Sequence, residues 1–224
     1  MGYRLFRSFF GTSPLVCAIV WDMLSTQRPP NSTPNHLLWG FLLLKQYNIE
    51  SVNAVLVGAS EKTFRKWSLI YVRLIANLPL VNQIIFFLSC TFQYPTECDP
   101  KWFSLKFSGP GVRYEIGLYI ATGNIVWAHA RDAFIDHLDI DEKALADNGY
   151  RDNNYFVNPN GDPLKKILAT HETANKRVKQ FYCMKDVFRH ILTLHPSFFR
   201  ACVNLTQIMI VNGEPLYDVE PLEQ

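Results

Sequence analysis

Val112-Arg-Tyr-Glu-Ile-Gly-Leu-Tyr-Ile120 decides how the fold is read. Apolar or aromatic residues stand at 112, 114, 116, 118 and 120, a period of two that predicts a half-buried β-strand. Thr122-Gly123-Asn124 has the composition of a hairpin turn and leads into a second strand, Ile125-Val-Trp-Ala-His129. Upstream, Ile84–Phe92 predicts a buried strand. Downstream come a short helix at Arg131–Leu138, a short strand at Ala144–Ala146 stopped by Asp147-Asn148-Gly149-Tyr150, and one more strand at Asn154–Val157. Three strands, a helical crossover and a fourth strand predict an α/β core with one mixed sheet, its first three strands antiparallel.

The flanking sequence is helical. Ser13-Pro14 and Thr33-Pro34 each pair an N-cap residue with proline at the first helical position. Ser51–Val57 is a short helical segment stopped by Gly58, and Ser60 caps a longer one over Glu61–Leu78. Short helix, glycine turn and long helix resemble a helix-turn-helix. On the long helix Lys62, Lys66 and Arg73 fall on one face with Arg65 beside them, and Phe64, Trp67, Ile70 and Leu74 are assigned to the other. Such a face suits DNA phosphates, and it suits a solvated amphipathic helix equally well. After residue 160 a helix is predicted over His171–His190, with Ala174, Val178, Phe181, Met184/Lys185 and Phe188 on one side, and a last one over Ser197–Asn212.

At 224 residues the chain has room for one large domain or two small ones. Its net charge of +2 hides segregation: residues 1–80 hold eight basic and three acidic side chains, 131–152 three and seven, 161–200 eight and three. Basic, acidic, basic is the order expected of a carboxylate site between polyanion-binding surfaces, and on charge alone solvated helix faces are the plainer reading. The five cysteines form no CxxC pair and no zinc spacing with histidine, as expected of reduced thiols inside a cell. The most apolar stretch, Ser68–Cys90, is interrupted by Arg73, Asn77, Pro79, Asn82 and Gln83 and makes a poor membrane span. The expected location is nuclear or cytoplasmic, with no secretion and no membrane contact.

Two carboxylates stand out. Asp147 follows a short apolar strand, where α/β sites form, and Glu172 opens a basic helix 25 positions later. Brought together they would repel unless a divalent cation, Mg²⁺ or Mn²⁺, lay between them, and such a pair of acids can drive phosphodiester cleavage. Lys176, Arg177 and Lys179 would then hold the DNA backbone. The plainer roles are a turn-forming aspartate and a first-turn glutamate favoured by the helix dipole.

Phe9–Leu24 (FFGTSPLVCAIVWDML), His36–Tyr47, Glu61–Trp67, Asp99–Trp127, Ala144–Asp152 (ALADNGYRD), His171–Phe181 (HETANKRVKQF) and Val187–His195 together resemble the Harbinger/PIF-type DDE transposases, the DDE superfamily endonuclease group. The resemblance implies a helical DNA-binding region over 1–80, an RNase H-like core over 81–219 and a tail over 220–224. It also makes Asp147 the second and Glu172 the third catalytic, metal-binding carboxylate. The family's first aspartate is missing: Ser89 stands in its place, and no Asp or Glu lies between Glu61 and Glu97. The family's segment after the Ile-Val-Trp strand is also absent. A serine is a poor Mg²⁺ ligand, so the expectation is a transposase-derived protein that binds double-stranded DNA without cutting it. The alternatives are an active Mg²⁺-dependent DDE endonuclease in which Glu97 or Asp99 supplies the ligand, and an interaction protein that has lost DNA contact. A separate DNA-binding partner protein is a further expectation from the family.

Overall fold

The computed structural model describes residues 2–78, 89–93, 103–104, 109–118, 124–130, 144–145, 156–157 and 162–214. Helix predominates among them. In chain order the helices are α1 (Tyr3–Phe10), α2 (Pro14–Met23), α3 (Pro34–Gln46), α4 (Glu50–Val57), α5 (Glu61–Ala76), α6 (Asp162–Lys179) and α7 (His195–Val211). The chain divides into two compact units. One joins Met1–Leu78 to Val178–Asn212; the other joins Pro79–Arg177 to Gly213–Gln224.

The helical unit follows its local signals. Ser13 Oγ accepts the Val16 N–H at 3.3 Å and opens α2. At α3 the Thr33 N–H donates to His36 Nδ1 at 3.1 Å, so a histidine does the work usually given to Glu or Gln in a capping box. Ser60 Oγ accepts the Thr63 N–H at 3.2 Å and opens α5. Gly58 ends α4 at φ 67°, in the left-handed region that glycine enters without a Cβ penalty.

Helices α3, α5 and α7 carry the core. A Cβ built on Gly40 would lie 3.0 Å from Tyr71 Cβ, so α3 and α5 approach closely because position 40 has no side chain. Every residue of α7 from Ala201 to Ile210 is buried, the signature of a central helix rather than a surface one. Among them is Asn204, whose side-chain amide donates to the carbonyls of Ile75 (2.8 Å), Ala76 (3.3 Å) and Leu78 (3.0 Å). The end of α5, which leaves carbonyls without intrahelical partners, is thus satisfied by a side chain of α7. Cys183 and Cys202 are buried free thiols with their sulfurs 3.5 Å apart.

The second unit holds β1 (Ser89–Gln93), β2 (Phe103–Ser104), β3 (Gly109–Leu118), β4 (Ile125–Ala130), β5 (Ala144–Leu145) and β6 (Phe156–Val157). Strand β3 pairs antiparallel with β1, β2 and β4, and Tyr114, Ile116 and Leu118 are buried, as their alternation requires. Strand β5 pairs in parallel with β6 instead. This overturns the expected RNase H-like mixed sheet. Among the described residues helix predominates, and the expected fourth strand, Ala144–Leu145, does not join the β1–β3–β4 group. The physical reason is that period-two alternation identifies a strand but not its partner, and a two-residue strand has few ladder bonds to fix one. The Thr122-Gly123 turn and the Arg131–Leu138 helix lie outside the described residues.

The helix expected over His171–His190 is also displaced. Helix α6 starts earlier, at Asp162 followed by Pro163, and stops at Lys179. Phe181, Met184 and Phe188 are buried as the pattern indicated, but on a 3₁₀ turn (Tyr182–Met184) and the segment after it.

Two outcomes follow for stability. Asn204→Ala removes a buried donor from the carbonyls that follow the last turn of α5, of which Ile75 keeps the Leu78 N–H, and equilibrium denaturation should show a loss of about 2 kcal/mol. His195, fully buried at the start of α7 with its ring 4.6 Å from that of Phe188, has its pKa pushed down by burial to about 4. The unfolded imidazole takes up a proton near its ordinary 6.5, while the folded one refuses it until about 4. Stability should therefore fall as pH drops through that window, by on the order of 3 kcal/mol from this residue, and level off below it. Denaturation midpoints for wild type and His195→Gln across the same window check this; the variant should show a shallower slope.

Candidate nucleic-acid interface

Helix α5 presents two different sides. Phe64, Ser68, Tyr71, Val72 and Ile75 are buried, at helical spacing, against the rest of the unit. This corrects the sequence assignment: Trp67, Ile70 and Leu74 are only half-buried, and the inward stripe is rotated toward Tyr71 and Val72. Lys62, Arg65, Lys66 and Arg73 are all exposed on the opposite side, with half-buried Leu69 between them. Positions 62, 66, 69 and 73 are spaced i, i+4, i+7 and i+11, one straight stripe on a helix.

An aromatic cluster flanks this stripe. The His36 ring stacks on Trp67 with centroids 4.0 Å apart and planes 1° apart, Trp39 meets His36 edge-on at 4.9 Å, and the Lys66 ammonium sits 5.2 Å from the Trp67 ring centre. His36 Nδ1 is already an acceptor in the α3 cap, and burial lowers the imidazole pKa, so its ring is neutral near pH 7.

Arg65 differs from its three neighbours. Its guanidinium forms an ion pair with Glu50 at the start of α4, through both Nε and Nη2 to the same carboxylate oxygen. The other oxygen of Glu50 lies 3.7 Å from His190 Nε2. His190 Nδ1 is 3.1 Å from the Tyr47 hydroxyl, which also accepts the Arg189 N–H at 2.7 Å. The Arg189 guanidinium lies 4.6 Å over the Tyr47 ring. Burial raises the Tyr47 pKa well above its ordinary value, so this phenol is a hydrogen-bonding post and not a nucleophile. Nothing in the sequence signals this cluster: Tyr47 and His190 are 143 positions apart.

The remaining candidates are distributed differently. Glu172 and Lys176 are exposed on α6, Lys179 is half-buried, and Arg177 is half-buried and engaged in contacts. Ser89 lies in β1, in register with Glu115 of β3, which is in turn opposite His129 of β4. Asp147, Glu97 and Asp99 lie outside the described residues. Among the described residues no group of three or more His, Cys, Asp or Glu side chains is disposed to hold a metal ion, and Glu172 is the one described member of the expected Asp147–Glu172 pair. No helix among the described residues is long and apolar enough to cross a membrane.

The chain matches no protein-family model, no curated protein sequence and no solved structure.

Proposed function

We propose that this chain is a transposase-derived protein that binds double-stranded DNA through α5 without cutting it. The observation that carries the reading is the exposed stripe of Lys62, Lys66 and Arg73 on a helix introduced by the Gly58 turn and held from behind by α3 and α7. Long cationic side chains on a firmly packed helix neutralise successive phosphates and release their counterions. Trp67, His36 and Trp39 stiffen the flank of the stripe, so less side-chain entropy is lost on docking. Arg65 enters with its charge already balanced by Glu50 and contributes less to phosphate neutralisation than the other three. Serine at position 89 supports the non-cleaving half of the proposal, because a neutral hydroxyl neither binds a dication tightly nor balances its charge. A protein of this kind acts in the nucleus.

The test is duplex binding by fluorescence anisotropy between about 50 and about 200 mM salt. Lys62→Gln, Lys66→Gln and Arg73→Gln should each flatten the plot of log affinity against log salt by about 0.9, and the triple variant should bind only weakly at the higher salt. Plasmid incubated with the protein and Mg²⁺ or Mn²⁺ should stay unnicked. A triple variant that binds as wild type, with circular dichroism showing it folded, would remove α5 from the interface; nicking lost on Glu172→Gln would restore the endonuclease reading.

A further inference from the structure

Beside the basic stripe is a cavity of about 440 Å³, between the N-terminus of α4, the first turn of α5 and Arg189–His190. Its lining carries two guanidinium groups, Arg65 and Arg189, and two carboxylates, Glu50 and Glu61. At neutral pH these four charges cancel. His190 is the remaining titratable residue of the lining, so its protonation decides whether the cavity is neutral or cationic.

The geometry holds the His190 ring in place in both states. The Tyr47 hydroxyl accepts the Arg189 N–H, which leaves its own proton for His190 Nδ1 at 3.1 Å. The neutral ring therefore carries its proton on Nε2, facing Glu50 at 3.7 Å. When Nδ1 is protonated, the donor and acceptor roles with Tyr47 reverse and the ring keeps its neighbours. The groups that face it are Tyr47 from the end of α3, Glu50 from α4, Arg65 from α5 and Arg189 from its own segment; Phe188 and, from α7, Phe198 pack beside it at 5.6 and 5.0 Å, and His195 meets Phe188. Burial and the two arginines hold the ring neutral, and Glu50 only partly opposes them. An anion entering the cavity shifts that balance toward the charged ring.

We infer that this cavity is a proton-gated seat for a tetrahedral oxyanion, a phosphate or sulfate group, held by Arg189 together with His190 and admitted when that ring is charged. Arg189 is the anchor, because among the described residues its guanidinium has the Tyr47 ring and no carboxylate partner. The seat rests on its own lining residues and not on the DNA reading; a backbone phosphate and a free phosphate group are two sources of the same chemistry.

Sulfate is the probe, because it stays divalent across the mildly acidic to neutral range over which its binding is compared. Calorimetry on the full chain should show sulfate binding about tenfold tighter at the lower pH, from one added charge close to the anion. By linkage, saturating sulfate should raise the His190 pKa, followed by imidazole NMR in the wild-type protein, by about one unit. His190→Gln should abolish the pH dependence, and Arg189→Gln should weaken binding at both pH values. Sulfate that leaves the His190 pKa unmoved, or a pH dependence that survives His190→Gln, overturns the inference. Duplex DNA that displaces sulfate identifies the backbone as the source; sulfate that stays bound beside duplex identifies a free phosphate group. Sulfate binding retained in the Lys62/Lys66/Arg73→Gln triple variant keeps the seat standing even where the α5 interface fails.

Discussion

The two N–H groups of the Asn204 amide, shared among the carbonyls of Ile75, Ala76 and Leu78, fix where α5 ends and how it meets α7. A helix end buried without partners is costly, and here the partner is one side chain in the most buried stretch of the chain. Gly40 sets the other limit by letting α3 lie against Tyr71 and Ser68. Between these constraints α5 cannot roll about its axis without burying a lysine or breaking the cap. The same Asn204 begins an Asn-Leu-Thr sequon, and its burial and hydrogen bonds leave no room for a glycan in the folded chain.

Charge on this helix is of two kinds. Lys62, Lys66 and Arg73 are exposed cations that contribute through solvent and are weakened by salt. Arg65 belongs to a network that runs through Glu50 and His190 to Tyr47 and the Arg189 backbone. The first kind attracts any polyanion. The second joins the start of α4 and α5 to the segment before α7, so a change at one residue is felt at groups far apart in sequence.

The helical unit was largely legible in the sequence because its signals are local. Ser13-Pro14, Thr33-Pro34 and Ser60 open helices, and Gly58 separates α4 from α5. The inward face of α5 was misread because Trp67, Ile70 and Leu74 are as apolar as the residues actually buried; a second helix, not hydropathy, chose the stripe. In α6 the apolar period continues through a backbone that has already left the helix, so burial was read correctly and secondary structure was not. The antiparallel pairing of β1 and β4 with β3 was legible from three segments of strand period and a hairpin-turn sequence, whereas the parallel β5–β6 pairing and the cluster around His190 depend on contacts between distant residues, to which neither period nor composition is sensitive. The resemblance to transposases, carried by ordered segments, pointed to a mixed sheet that the strand pairing among the described residues does not form.

The central claim is that DNA lies along the exposed stripe of α5. Lysine acetylation followed by mass spectrometry reads this directly, with and without duplex DNA, using exposed Lys185 as the internal reference. The account predicts that duplex slows modification of Lys62 and Lys66 while Lys185 reacts at its free rate. Lys62 and Lys66 reacting at unchanged rates in a protein demonstrably bound to DNA would contradict it.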